Sequence, residues 1–142
     1  MSISVEQQVV SADAAQKAVA AAVVKAEELG IKVNAAVVDS GGNLTAFLRM
    51  PGAFLQSIAI AQDKALSAAG IGLSTRALYE LIGTSQALKD GILQQPNFAA
   101  IGGGYPIKDG GAVIGGIGVS GASEDEDEAC ALAGLEAIGG EV

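Results

Sequence analysis

Four residues, Ser40-Gly41-Gly42-Asn43, separate an apolar run from Val33 to Asp39 from a second run, Leu44 to Met50, which Pro51-Gly52 stops. A join this short closes a hairpin, whereas a parallel crossover takes a dozen residues or more. Asp109-Gly110-Gly111 sets the same limit between Tyr105 to Lys108 and Ala112 to Val119. With Phe98 to Ile101 taken as a further extended run, the spacing predicts five short strands in an antiparallel sheet.

Helical signals fill the remaining chain. Ser11 is placed to cap an alanine-rich helix reaching Leu29, with Asp13 in its first turn and Gly30 just beyond its end. Leu55 to Ala69 reads as a second helix. Ser74 caps a third, running from Thr75 through Leu78, Leu81 and Ile82, and a short helical piece covers Leu88 to Gln94 before Pro96. The last helix spans Glu124 to Ile138 and ends at Gly139-Gly140. The predicted order, α-β-β-α-α-β-β-β-α, is of the α/β class in its α+β form, with helices packed on the sheet. No Pro- or Ser-rich linker divides residues 1–142, so a single domain is expected.

Composition excludes much chemistry. There is no histidine, so Ser-His-Asp and Cys-His nucleophiles, a His general base and His-containing zinc sites are all absent. One cysteine, Cys130, excludes an internal disulfide and an all-cysteine zinc site, and among Ala129, Ala131 and Ala133 it reads as a small buried hydrophobe. Sixteen acids against eight bases give a net charge of −8, which phosphate backbones and anionic lipid repel, so neither nucleic acid nor membrane is an expected partner. The first thirty residues mix Glu6, Asp13, Glu27 and Glu28 with alanines, and no apolar run reaches membrane-spanning length. A soluble, cytoplasmic protein without a leader is expected.

Nine of the twenty glycines fall between Gly102 and Gly121. Gly116-Ile-Gly118-Val-Ser-Gly121 matches the dinucleotide pattern G-x-G-x-x-G. Too little chain follows it for a second parallel strand, and the next helix opens with Glu124-Asp125-Glu126-Asp127-Glu128, which would repel a pyrophosphate. These glycines are therefore expected to serve close backbone packing and tight joins. The five acids suggest either a cation site or a capped helix. Ser123 with Glu126 forms a capping box, and consecutive helical residues point in different directions, so capping is favoured and no metal site is expected. Asp127 or Glu128 is then free to face inward.

Two cations invite attention. Lys64, within Ile58-Ala-Ile-Ala-Gln-Asp-Lys-Ala-Leu66, either snorkels from an apolar helix, the commoner outcome, or serves as a pocket cation. Arg49, at a strand end, is either an exposed charge or an anion clamp. Tyr105-Pro106 follows three glycines, as a seat for a flat ligand or as a plug for the core.

Taken in order, Ala36-Val-Val-Asp39-Ser-Gly-Gly-Asn-Leu44, Arg49-Met-Pro-Gly-Ala53, Ala61-Gln-Asp-Lys64-Ala65, Gly103-Gly-Tyr-Pro106-Ile107 and Gly115-Gly-Ile-Gly-Val-Ser-Gly121 leading to Asp127-Glu128-Ala-Cys-Ala131 resemble the GlcG/HbpS-like family. That family includes the C-terminal domain of PduO-type corrinoid adenosyltransferases. The resemblance implies a profilin-like layered fold with a five-stranded antiparallel sheet and homo-oligomeric assembly. It also implies a small-molecule-binding accessory role in a catabolic or cofactor pathway, with haem or another tetrapyrrole as candidate ligand. Carried over by position, Asp39, Arg49, Lys64, Gly103, Gly104, Tyr105, Pro106 and Asp127 would line one pocket, with Arg49 and Lys64 as a cationic pair for a carboxylate. This chain departs from haem-ligating members in lacking histidine, so an axial bond would fall to Met50, Tyr79, Tyr105, Lys64 or Cys130. The other reading is a cofactor-free enzyme in which Lys64 is catalytic, as base or Schiff-base residue, and Asp39 or Asp127 assists on a small oxo acid or aromatic catabolite.

Overall fold

A computed structural model describes residues 1–142. Its elements run α1 (Ala12–Leu29), β1 (Asn34–Asp39), β2 (Leu44–Arg49), α2 (Gln56–Ile71), α3 (Thr75–Ile82), α4 (Gln86–Ile92), β3 (Gly104–Asp109), β4 (Ala112–Ser120) and α5 (Glu124–Ala137). The four strands are antiparallel in the order β2-β1-β4-β3, so the two hairpins meet through β1 and β4, with Ala35 opposite Val119. None of the helices is long and apolar enough to cross a membrane.

Strand alternation divides the chain into two layers. On one face, Ala35, Val37, Ile107, Ile117 and Val119 meet Ala15, Ala18, Val19, Ala22 and Ala26 of α1 and Cys130, Ala131 and Leu135 of α5. On the other, Ala36 and Val38 meet Ala61 and Ala65 of α2. Burial pushes the Cys130 thiol up to about 11, with the charge of Asp127 adding to it, so this cysteine is an inert core residue.

The glycine cluster explains how α2 comes so close to the sheet. Gly116 and Gly118 face it across β4, and a Cβ on Gly118 would run into the backbone of Ala61 and Ala65. On neighbouring β3, a Cβ on Gly104 would sit 2.7 Å from the carbonyl oxygen of Lys64. Helix backbone therefore rests on bare strand backbone, which is the packing role the sequence suggested in place of dinucleotide binding.

The sheet has four strands, one fewer than expected, because 98–101 is not a strand. Side chains from distant elements take its backbone groups: Ser67 Oγ accepts from the Ala99 N–H at 2.9 Å, and Thr75 Oγ1 donates to the Ile101 carbonyl at 2.5 Å. Meanwhile Phe98 and Ala100 pack with Leu78, Ile82 and Ile92 under α3 and α4. These two bonds tie the segment to α2 and α3 rather than to a neighbouring strand.

Candidate functional site

The acidic run at the start of α5 organises the neighbourhood of the glycine loop. Its five carboxylates fan out to four partners, Asp125 and Glu128 sharing Arg76. Glu126 closes the capping box on Ser123, and Glu124 accepts from the Gly102 N–H at 2.8 Å. Asp125 and Glu128 both hold Arg76 on α3, Glu128 through two guanidinium nitrogens. Asp127 alone turns fully inward. Replacing Ser123 by alanine is expected to remove about 1 kcal/mol of stability, read from the urea midpoint at unchanged slope.

Inside, Lys64 is 1% exposed and Asp127 2%. The Lys64 ammonium donates to Asp127 Oδ2 at 3.1 Å and to the Val119 carbonyl at 2.9 Å, while Asp127 Oδ1 accepts from the Ala122 N–H at 3.0 Å. Gly103, at φ +129°, closes the space above: a Cβ there would stand 2.8 Å from Lys64 Nζ. Lys64 therefore does not snorkel. Burial pushes the Asp127 carboxyl up, outweighing the downward pull of Lys64. Thr75 Oγ1, which the sequence did not single out, accepts from the Gly104 N–H at 2.9 Å while donating to Ile101, and so ties the loop to α3.

The other residues expected in one pocket lie apart. Asp39 folds onto its own hairpin, accepting from the Gly41 and Asn43 N–H groups at 2.9 and 3.0 Å, and those bonds, the one from Asn43 first, hold its carboxyl below the usual range. Tyr105 is half-buried beside the α1/α5 layer, and burial pushes its phenol up, with Glu128 adding. Pro106, next along β3, is half-exposed. Arg49 ends edge strand β2 and donates to the Ala53 carbonyl at 2.9 Å, on the opposite edge from β3. Lys64 and Asp127 do meet, with Gly103 over them, but Arg49 and Lys64 do not form a pair.

Two open grooves carry chemistry. One, of about 550 Å³, is lined by Arg76, Tyr79, Glu80, Ala100, Ile101 and Glu124. There Lys89 Nζ lies 3.4 Å from the Tyr79 hydroxyl and over its ring. The other, of about 370 Å³, brings Lys32 and Arg49 together beside Val23, Leu48 and Pro51.

The family model described as "Haem degrading protein HbpS-like" matches residues 10–136. The chain belongs to the HbpS-like family. Among its relatives, the corrinoid adenosyltransferase PduO of Citrobacter freundii is 36% identical over 120 residues, 83% of this HbpS-like chain but 36% of PduO, so the chain spans about a third of that protein's length. The crystal structure of HbpS superposes with a TM-score of 0.87 at 38% identity, covering 94% of this chain and 93% of that one. The crystal structure of a PduOC:haem complex superposes with a TM-score of 0.86 at 31% identity, covering 94% and 97%.

Proposed function

We propose that this HbpS-like chain is a cytoplasmic, small-molecule-binding accessory protein of a catabolic or cofactor pathway, with haem or a related tetrapyrrole as its ligand. The observation that carries this reading is the likeness over nearly the whole chain to a PduOC domain in complex with haem. The donor set narrows where iron would be held. Met50, Lys64 and Cys130 are buried, the first with its sulfur accepting from the Val33 N–H and the second inside an ion pair, and Tyr105 is half-buried. Tyr79, 48% exposed, is the one of the five that is both exposed and part of a groove lining, and tyrosine is an established haem ligand. Lys89, which forms no ion pair, is the cation beside it for a propionate. Haem, when bound, supplies redox and oxygen chemistry at its iron.

In this reading Lys64, Asp127, Gly103 and Gly104 shape the wall of the ligand-bearing end, and Tyr105 and Pro106, both partly exposed on β3, offer side chains a ligand can reach there, whereas Arg49 stands apart on the opposite sheet edge. The reading also includes a homo-oligomer. Support comes from Phe54 and Leu55, 66% and 68% exposed beside the first turn of α2, and from Ile71 and Leu73 at its far end, apolar surface left facing water in the single chain. Catalysis by Lys64 finds no support in the geometry, because a base or Schiff-base lysine must be reached by substrate and this one is closed under Gly103.

Haemin titration is expected to give a saturable Soret shift with the native chain and at least tenfold weaker binding with Tyr79→Phe. A cobalamin titration run alongside separates haem from corrinoid. Lack of any saturable change with either tetrapyrrole overturns the reading, whereas an unaltered Tyr79→Phe variant removes only the assignment of the ligand.

A further inference from the structure

We infer that the groove between Lys32 and Arg49 is a second binding site, one that takes the carboxylate of a small molecule with an apolar body. Of the eight cations in this acidic chain, Lys17, Lys25, Lys64 and Arg76 are held in ion pairs, and Lys32, Arg49, Lys89 and Lys108 are not. Two of these four line one groove.

Their placement is fixed by the turn that follows β2. Gly52 sits at φ +91°, and a Cβ on it would lie 2.8 Å from the Lys32 Cδ, so the lysine stem runs across bare backbone. Arg49 reaches the same turn through one bond from Nη2 to the Ala53 carbonyl. A guanidinium carries five N–H donors, so most of the fork is left for a ligand, and its planar spacing matches a carboxylate. Val23, Leu48 and Pro51 supply apolar walls, and about 370 Å³ is at the lower end of small-molecule sites.

Glu27, on the α1 wall, distinguishes the ligand's charge. It bonds to neither cation, and its own negative charge penalises a doubly charged phosphate more than a singly charged carboxylate. The competing account makes these cations guards of an exposed sheet edge, which need no ligand at all.

Titration of the ¹⁵N-labelled chain with phenylacetate, followed by amide shifts, separates the two accounts. At about 0.01 M ionic strength phenylacetate should move the amides of Lys32 and residues 48–53 saturably, and neutral phenylacetamide should not; at about 0.15 M the binding should weaken. Lys32→Met, which breaks no hydrogen bond in the fold, should weaken binding severalfold. Arg49→Met should weaken it at least tenfold, with Arg49→Lys between it and the native chain, and Glu27→Gln should strengthen it. Thermal unfolding of each variant reports that the turn is intact. Haemin used as a third probe identifies the source: shifts in the same amides assign the groove to a tetrapyrrole propionate, and shifts elsewhere assign it to a free carboxylate. Equal response to acid and amide, no response to either, or binding unchanged in both Lys32→Met and Arg49→Met overturns the inference in favour of the edge guard.

Discussion

Lys64→Met is expected to lower the unfolding free energy by about 3–5 kcal/mol at neutral pH, measured by urea denaturation. The loss arises from what remains. With the ammonium gone, Asp127 stays 2% exposed with one backbone N–H bonded to Oδ1 and nothing bonded to Oδ2. Burial already pushes this carboxyl up against the pull of Lys64, and removing that pull pushes it further. A carboxyl whose folded pKa is raised is penalised only while it is charged. The gap between native and variant should therefore be widest at neutral pH and shrink as pH falls toward the ordinary aspartate value of about 4. Adding Asp127→Leu removes the orphaned charge and should recover much of the loss, incompletely because the Val119 carbonyl still lacks its lysine donor. A single variant as stable as the native chain, or a double variant worse than the single, would show that the pair is not the buried unit described.

Gly118→Ala is expected to cost about 3 kcal/mol or more, or to prevent folding, because its methyl meets the backbone of α2 rather than a side chain that can swing away. Gly70→Ala provides the contrast. It lies in the same helix with open space around its Cβ and should gain about 0.5–1 kcal/mol. Similar melting temperatures for the two variants would contradict the packing described for α2 on β4.

What the sequence discloses follows from the range of the forces involved. The hairpin at 40–43 is legible because Gly-Gly turn chemistry is local, and the Ser11, Ser74 and Ser123 caps are legible because each hydroxyl serves an N–H three residues on. The segment 98–101 is misread as a strand because the groups that satisfy its backbone belong to Ser67 and Thr75, far away in sequence. Lys64 has the same difficulty: its partner Asp127 is 63 residues away, and apart from the family resemblance, which puts both in one pocket with six other residues, only the inward turn available to one member of the acidic run points to it. Arg49 was visible as a candidate clamp, but its neighbour in the groove is Lys32, an ordinary lysine before a strand that no motif marks. Pairing Arg49 with Lys64 fails because β2 is an edge strand, whereas Lys64 lies over β4 and opposite edge strand β3.

The strand order has a consequence for how the chain reaches this state. The two hairpins are local, but the seam between them joins 34–39 to 115–120, so the middle of the sheet forms only after α2, α3 and α4 have been laid down between its halves. During synthesis β1 waits with one edge unpaired, and the alanine face of α2 waits without its glycine floor. Closing that long loop is the slow, entropically costly event. Until it happens, the exposed seam is where one nascent chain can pair with another, so a slow seam would raise aggregation during expression before it lowered the stability of the finished fold.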